Sequence, residues 1–242
     1  MRILTWNIAA LPKKINFFRN PYHKYDNMIH LLHQYQPDII CLQEVFDYQI
    51  LDKIDDFLKK LGYHTHYSEP EGLISKNGLL NASKKPILQT QEIDYSMYTG
   101  VEYLIKKGII SSTIEIDNQP FIVHNSHLQS NSVYTMDHIC TEVRQKQKQE
   151  LLDYLTDDLD QIQVLCGDLN DDFSTQEHQM FLKYLPFKHL TTNSEKLITF
   201  PKHQKQLDFI IINQKIEEKY TVIDTYEDKI SDHQILMLDI NL

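Results

Sequence analysis

The sequence has 242 residues, of which 41% are hydrophobic and 24% are charged, so it can enclose a large core. Its formal net charge is −10, and an acidic surface of this kind repels polyanions and disfavours a protein that coats nucleic acid. An anionic substrate therefore has to be met by a local site or by a bound cation.

Apolar periodicity outlines the secondary structure along the chain. Six short, largely apolar segments predict buried β-strands: RILTWNI, DIICLQEV, QPFIVHNSHL, IQVLCGDL, LDFIII and QILMLDI. Amphipathic patterns predict helices over residues 25–35, 48–61, 141–155 and 176–185. Neither a Gly/Ser linker nor an internal repeat marks a domain boundary. We therefore expect one α/β domain with mixed sheets over residues 1–242.

The first residues and the cysteines bear on the cellular location. The segment MRILTWNIAALPKK lacks the apolar run of a signal peptide, and no segment approaches the roughly 20 apolar residues that span a bilayer. The three cysteines, Cys41, Cys140 and Cys166, are odd in number and far apart, which suits buried thiols in a reducing compartment. These features predict a soluble cytoplasmic protein without a transmembrane segment.

The stretch from Ser68 to Gly108 contains turn residues, lysines and tyrosines without a clear periodicity. Long irregular segments in compact domains are often functional. We therefore predict that this stretch is an irregular recognition region.

Each predicted core strand runs directly into polar residues that can bind a metal or move a proton. These residues are Asn7, Glu44, His127, Asp168, Asn170, Asp208, Asp232 and His233. In open α/β sheets, ligands bind at the carboxyl ends of the strands, so scattered residues of this kind can converge on one site. Each residue alone also fits a turn or a helix cap, and it is the ordered set that favours a function.

The chemistry of the set favours hydrolysis of a phosphodiester. Oxygen ligands suit Mg²⁺ or Mn²⁺, and the candidates are Asn7, Glu44 and either Asp168 or Asp232. The two histidines can supply the general acid or base that this hydrolysis needs. Since neither a G-x-S-x-G elbow nor a G-x-x-x-x-G-K-[ST] loop occurs, an α/β-hydrolase and a P-loop nucleotidase are disfavoured.

In order and spacing, the motifs resemble those of the endonuclease/exonuclease/phosphatase superfamily. They are Asn7, Gln43-Glu44, Ser126-His127-Leu128-Gln129, Gly167-Asp168-Leu169-Asn170, Leu207-Asp208 and Ser231-Asp232-His233, and they span nearly the whole chain. The resemblance implies a four-layer α/β/β/α sandwich, in which two packed mixed β-sheets are flanked by helices and the site lies at one edge.

Shorter motifs are similar to those of the neutral sphingomyelinase branch. They are Leu11-Pro12, Glu44-Val45-Phe46, Ser83-Lys84-Lys85-Pro86-Ile87, Lys107-Gly108, and Arg144 with Gln147 after His127. Two features depart from relatives: Ala9 stands where some nucleases carry an acid, and the signal peptide and disulfides of secreted bacterial sphingomyelinases are absent from the sequence.

This resemblance implies a Mg²⁺-dependent or Mn²⁺-dependent phosphodiesterase that acts on a phospholipid headgroup by metal-assisted, in-line attack of water. The alternative is a nuclease or a nucleotide or inositol phosphate hydrolase with the same site, because the phosphate chemistry is shared. A catalytically inactive binding module is a third reading, which the intact polar set disfavours.

The resemblance also assigns metal ligands. It implies that Glu44 is the principal ligand and that Asn7 lies beside it, where it also orients the phosphate. Asp232 is expected to support the metal or its water.

The remaining roles implied by the resemblance concern the reaction itself. Asp168 is expected to align or deprotonate the attacking water, while Asn170 and His127 donate to phosphate oxygens from opposite sides. His233 is expected to be the general base or acid, held in its tautomer by Asp208. Whether His233 or Asp168 is the base stays open at this point.

A lipid substrate implies peripheral contact with a membrane. The lysines expected around the mouth of the site are Lys76, Lys84, Lys85, Lys106 and Lys107. The aromatic residues expected to touch a bilayer are Phe17, Phe18, Tyr95 and Tyr98. Because the chain is acidic, duplex nucleic acid is the less favoured partner.

Overall fold

The computed structural model describes residues 1–11, 22–71, 74–103, 105–131, 135–155, 161–187, 189–225 and 230–241. Within these residues the α-helices are α1 (Tyr22–Tyr35), α2 (Tyr48–Lys60), α3 (Asp137–Tyr154) and α4 (Gln176–Tyr184). The first strands are β1 (Arg2–Ala10), β2 (Ile39–Val45), β3 (His64–Tyr67), β4 (Pro70–Glu71), β5 (Ile74–Ser75), β6 (Leu80–Ser83) and β7 (Ile87–Asp94). The later strands are β8 (Gly108–Ile116), β9 (Gln119–His127), β10 (Ile162–Asp168), β11 (Asp208–Ile212), β12 (Glu218–Ile223) and β13 (Ile235–Ile240).

The strands form two large sheets and one small hairpin. The order of the first sheet is β12-β13-β1-β2-β6-β3, that of the second is β11-β10-β9-β8-β7, and β4 pairs with β5. In the first sheet β1 and β2 are parallel, and in the second β9 and β10 are parallel. Their other pairings are antiparallel, so both sheets are mixed.

Three apolar clusters bind the layers together. One fills the space between the two sheets, where Ile3 of β1 meets Val164 of β10. A second packs α1 and α2 against the outer face of the first sheet, and a third packs α3 and α4 against the outer face of the second. The predicted four-layer α/β/β/α sandwich with two mixed sheets is therefore confirmed.

Strand β1 shows how the sequence assigns residues to these layers. Leu4 and Trp6 pack in the cluster beneath α1 and α2, whereas Ile3 faces the space between the sheets. Successive side chains of a strand point to opposite faces, so Thr5 and Asn7 share the inward face with Ile3. Asn7 is thus the last inward residue before the strand reaches the edge of the sandwich.

Helix α2 begins and ends where its sequence favours it. The carboxylate of Asp47 accepts hydrogen bonds from the backbone N–H groups of Gln49 and Ile50, which satisfies two donors at the helix N-terminus. The chain leaves the helix through Gly62, whose φ of 84° lies in the left-handed region that glycine tolerates.

The six predicted strands are confirmed as β1, β2, β9, β10, β11 and β13. The prediction of an irregular stretch from Ser68 to Gly108 was wrong, because this stretch holds β4 to β7 and the start of β8. The apolar pattern did not predict strand β7, because β7 is an edge strand with the polar sequence ILQTQEID, which is exposed or half-buried.

Helix α3 begins at Asp137, four residues before the predicted start. No helix within the described ranges combines the length and the apolar character that a membrane span requires.

Candidate active site

Three ionisable side chains lie side by side on neighbouring strands of the second sheet. In the register of the sheet, Asp168 of β10 pairs with His127 of β9 on one side and with Asp208 of β11 on the other. His127 and Asp168 each end an inward-facing row that begins with buried apolar residues, such as Val164 and Cys166 before Asp168, whereas Asp208 begins the antiparallel β11 and is followed by the inward residues Ile210 and Ile212. The two-residue period of the strands therefore delivers all three side chains to one edge of the inter-sheet space.

The first sheet brings Asn7 and Glu44 to the same edge. The amide nitrogen of Asn7 donates to Oδ2 of Asp168 at 2.9 Å, and the Asn7 side chain also hydrogen-bonds Glu44. Oε1 of Glu44 lies 3.9 Å from Nε2 of His127. The predicted convergence of residues from β1, β2, β9 and β10 thus occurs in the fold.

Glu44 reaches the cleft because its backbone is unusual. In a regular strand it would point to the opposite face from Gln43, whose side chain bonds Asn125 across the inter-sheet space at 2.8 Å. The φ of Glu44 is 57°, in the left-handed region, and this turn redirects its carboxylate toward His127. Non-glycine residues adopt such a φ at a cost of roughly 1 to 2 kcal/mol, which marks the position as functionally constrained.

His233 enters from the loop before β13 and is held on several sides. Its Nδ1 lies 2.8 Å from Oδ2 of Asp208, and its Nε2 lies 3.6 Å from Oδ2 of Asp168. The indole N–H of Trp6 donates to the backbone oxygen of His233 at 3.1 Å. The ring of Phe200 packs against the imidazole with centroids 4.8 Å apart. These contacts fix the imidazole with Nε2 directed toward Asp168.

The Gly167-Asp168-Leu169-Asn170 string depends on its glycine. Gly167 has a φ of 141°, and a Cβ at this position would lie 1.9 Å from the backbone oxygen of Ser126. Asn170 has a φ of 50°, and its side-chain amide donates to the oxygen of Leu128 at 2.9 Å. Its backbone N–H donates to Oδ1 of Asp168 at 2.9 Å, so the turn also orients the carboxylate.

The carboxylates of the site resist ionisation. Burial raises the pKa of Glu44, and the nearby charge of Asp232 acts in the same direction. Burial also raises the pKa of Asp168 to about 7, although the neighbouring His233 opposes the change. Two carboxylates that approach each other in a buried place are a natural position for a cation.

The pKa values of the two histidines are shifted in opposite directions. Burial and the neighbouring Lys107 hold the pKa of His127 well below its usual range. Burial also opposes a charge on His233, but Asp208 and Asp168 outweigh this effect and raise its pKa to about 10. The site therefore pairs a neutral imidazole with a protonated one.

Lys107, which was expected from the sequence at the mouth of the site, is instead buried behind it. It is only 2% exposed, and its ammonium group lies 2.9 Å from Oε1 of Glu102, 2.9 Å from Nε2 of His127 and 2.8 Å from the oxygen of Leu128. Three acceptors thus match the three donors of the ammonium. Because the ammonium only donates, His127 accepts through Nε2 in this arrangement, so Nε2 does not supply the donor to phosphate that was expected of His127.

The donor set fits a hard divalent cation, because oxygen atoms of Glu44, Asp168 and Asn7 gather at one place. In the present orientation the Asn7 oxygen accepts from the backbone N–H of Ala9 at 3.1 Å, so its second lone pair remains for a cation. Asp168, Asp208 and His233 form another tight group, with ligand atoms within 4.8 Å of one another. There, however, Asp208 already binds the imidazole.

A cleft of about 600 Å³ opens onto these residues. Its described acidic lining residues are Glu44, Asp168, Asp171, Asp172, Glu177 and Asp232. The lysine and arginine side chains in the described lining are Arg144 and Lys205. Carboxylates therefore dominate the described lining, although Lys148 pairs with Asp171 and Lys196 pairs with Asp172. Asp232 lies in the wall of the cleft near Glu44.

The structure corrects the predicted surface around the mouth. Lys107 and Tyr95 are each 2% exposed, so neither can meet solvent or lipid. Lys84 pairs with Asp38 at the start of β2, which is the opposite edge of the sheet from Glu44. Phe17 and Phe18 lie outside the described residues. The expected ring of five lysines is therefore wrong.

Comparison with known proteins identifies the family of the chain. The model of the endonuclease/exonuclease/phosphatase family matches residues 4–233. The chain belongs to this family. It is also 27% identical over 173 residues to sphingomyelin phosphodiesterase 5 of Danio rerio, a match that covers 61% of this chain. The match covers 32% of that relative, so the chain spans about a third of its length.

Several solved structures share the fold. SmcL superposes with a TM-score of 0.81 at 17% identity, covering 99% of this chain and 98% of SmcL. A Staphylococcus aureus beta toxin variant with bound magnesium ions gives a TM-score of 0.78 at 18% identity, covering 98% of both chains. TDP2 of D. rerio, in complex with a single-stranded DNA product, gives 0.75 at 15% identity, covering 100% of this chain and 99% of TDP2. At these identities the likeness shows the fold alone.

Proposed function

We propose that this chain is a divalent-cation-dependent phosphodiesterase that hydrolyses a phospholipid-type phosphodiester, as a sphingomyelinase does. The observation that carries the proposal is the meeting of Asn7, Glu44, Asp168 and His233 from distant parts of the chain at one cleft. Its membership of the endonuclease/exonuclease/phosphatase family supports the reaction class.

A Mg²⁺ or Mn²⁺ ion would be held by Glu44 and Asp168, with Asn7 and Asp232 beside it. When bound, such an ion neutralises charge on a phosphate oxygen and so favours attack on phosphorus. The oxygen-rich donor set and the raised pKa values of Glu44 and Asp168 support this assignment.

Asp168 and His233 are suited to act on a single water molecule. In an in-line displacement the attacking and leaving oxygens lie on opposite sides of phosphorus. Oδ2 of Asp168 and Nε2 of His233 are only 3.6 Å apart, so both groups belong on the same side. We therefore assign the pair to the attacking water. The Asp168 carboxylate accepts the proton of that water, because the His233 imidazole is already protonated, and Asp208 holds the imidazole in place.

Asn170 is suited to stabilise charge on the phosphate. Its amide has two N–H donors, and one of them is used to bind the oxygen of Leu128. The second remains for a phosphate oxygen, whose negative charge grows in the transition state. Lys107, whose ammonium donates to the neutral His127, would contribute positive potential from the rear of the cleft.

The acidic cleft favours a headgroup with a positive end. Phosphocholine carries a quaternary ammonium group beside its phosphodiester, and the acidic side chains lining the cleft would attract that cation. A nucleic acid would instead bring several phosphates against the same acidic walls. The sphingomyelin phosphodiesterases among the curated relatives support the same choice.

The proposal is tested by comparing hydrolysis of sphingomyelin and phosphatidylcholine in mixed micelles with hydrolysis of plasmid DNA and short RNA at the same Mg²⁺ concentration. We expect the lipid to be hydrolysed, the activity to vanish in excess chelator, and Mg²⁺ or Mn²⁺ to restore it. His233→Ala and Asp168→Asn are each expected to lower kcat by about 10²-fold or more, which excludes a contaminating hydrolase.

Two results would refute parts of this proposal separately. Full turnover in excess chelator would remove the cation from the reaction. Cleavage of nucleic acid, a nucleotide or an inositol phosphate with lipid untouched would replace the substrate class while leaving the phosphodiesterase chemistry intact.

A further inference from the structure

Five large apolar side chains stand exposed on two segments of the chain. They are Met97, Val101, Tyr103, Met136 and Ile139, and they are 44%, 49%, 72%, 68% and 37% exposed. Three belong to the segment of residues 96–103, which follows β7 and includes a 3₁₀ turn, and two lie at the start of α3. We refer to these five side chains as the apolar patch.

Hydrogen bonds hold the two segments together. The oxygen of Met97 accepts from the side chain of Gln147 on α3 at 2.8 Å. Farther along, the carboxylate of Glu102 accepts from the backbone N–H of Ser130 at 3.0 Å. Asn131 then donates to Asp137 at 3.1 Å, in the first turn of α3. The two segments that carry the apolar patch therefore lie side by side.

This surface borders the mouth of the cleft. Ser130 and Asn131 connect the two segments, and both also line the cleft, as do Thr141 and Arg144 of α3. Arg144 donates to the side chain of Asn131 at 3.1 Å and so fixes the rim between patch and cleft. Any surface that receives the patch must also face the cleft.

We propose that the apolar patch docks on the surface of a bilayer made of zwitterionic lipids, and that this contact presents lipid headgroups to the cleft. The inference rests on the proposed function, because it takes the substrate to be a lipid. An apolar patch beside a catalytic cleft suits a surface that itself contains the substrate. A protein seated there would instead stand at the mouth and obstruct entry.

The charges around the patch select the type of bilayer. Residues 96–103 and 135–142 contain no lysine or arginine, whereas Asp137 and Glu142 are exposed on α3. Binding to anionic lipids depends on clustered basic side chains, which these segments lack. Phosphatidylcholine and sphingomyelin carry no net charge, so burial of apolar side chains is not opposed by repulsion.

The test measures co-sedimentation of the protein with vesicles of equimolar phosphatidylcholine and sphingomyelin. Chelator is present so that no lipid is hydrolysed. The patch variant is Tyr103→Ser combined with Met136→Ser. The matched control is Leu88→Ser combined with Tyr184→Ser, because these two side chains are 63% and 60% exposed but lie outside the patch. We expect the vesicle partition coefficient to fall about tenfold in the patch variant and to change less than about twofold in the control.

Hydrolysis of the water-soluble diester bis(4-nitrophenyl) phosphate in Mg²⁺ is measured on the same proteins. Equal rates for all of them show that the patch variant is folded and separate docking from chemistry. Wild-type binding equal to that of the patch variant, or no wild-type binding, would overturn the inference. Loss of a dimer in the patch variant without vesicle binding would assign the patch to a second copy. Absence of diester hydrolysis in the wild type would refute the proposed function instead.

Discussion

The buried carboxylates make a specific prediction about how pH and Mg²⁺ act on stability. In the folded protein Asp168 has a pKa of about 7, whereas its ordinary value is 3.8. Stability due to the protonated form is therefore fully present below pH 3.8 and is lost as the pH rises through 7. At pH 8 the metal-free fold holds an ionised carboxylate in a buried place. A cation that binds this carboxylate should restore stability mainly at high pH.

The size of the effect follows from the pKa. A change from 3.8 to about 7 corresponds to about 4 kcal/mol of unfavourable free energy in the metal-free protein at pH 8. Mg²⁺ at about 100 times its dissociation constant stabilises by about 2.7 kcal/mol, which is roughly 5 to 10 °C in Tm for a chain of this size. At pH 5.5 the protonation of Asp168 weakens the apparent affinity for Mg²⁺ about 30-fold, and the expected rise in Tm falls to about 2 °C.

The assay is thermal unfolding at pH 5.5 and pH 8, with Mg²⁺ or with chelator, on the wild type and two variants. Asp168→Asn removes the buried charge, so we expect its metal-free Tm at pH 8 to exceed that of the wild type and Mg²⁺ to have no effect. Asp239→Asn is the control, because Arg2 holds the pKa of that surface carboxyl below its ordinary value. It should keep the full Mg²⁺ response.

An equal rise in Tm with Mg²⁺ at both pH values would refute the reasoning, since proton competition would then be absent. The same conclusion would follow if Asp168→Asn retained the Mg²⁺ response of the wild type. Either result would place the cation away from Asp168.

Three further substitutions probe the neighbours of the cleft. Asp208→Asn should lower the pKa of His233 toward its ordinary value, visible in the NMR titration of the ring protons, and reduce kcat by about 10²-fold. Lys107→Met leaves the buried charge of Glu102 without its cationic partner and should cost about 3 to 5 kcal/mol in urea unfolding, a loss that adding Glu102→Gln should partly recover. Full stability of Lys107→Met would contradict this prediction. Gly167→Ala, whose Cβ would lie 1.9 Å from a backbone oxygen, should destabilise by about 3 kcal/mol or more, and a wild-type Tm would show that the turn can relax.

Much of the site was predictable because strands obey a two-residue period. The rows that end in Asn7 and Asp168 begin with apolar residues, and the row that begins with Asp208 continues into apolar residues, so the inward face can be followed along each strand to its polar end. What the pattern left open was the acid and base assignment of Asp168 and His233. That question depends on a distance of 3.6 Å between residues that are remote in sequence.

Other features could not be predicted because tertiary contacts override local preference. A lysine in a polar stretch is ordinarily exposed, yet Lys107 is buried, since Glu102, His127 and the oxygen of Leu128 satisfy its three donors. The one local signal was Gly108, where a Cβ would lie 2.1 Å from the oxygen of Ile93. The left-handed turn at Glu44 had no signal in its residue type.

The position of β1 between β2 and β13 has a consequence for biosynthesis. Ser231 donates to the backbone oxygen of Asn7 at 2.6 Å, although the two residues are 224 positions apart. A chain growing on the ribosome therefore exposes one side of β1, with its unpaired backbone groups, until β13 has left the exit tunnel. Pairings of such separation close slowly and leave strand edges open to wrong partners. Hydrolytic activity should accordingly emerge only once β13 is available to pair with β1, and chaperone dependence should concentrate on nascent chains that lack β13.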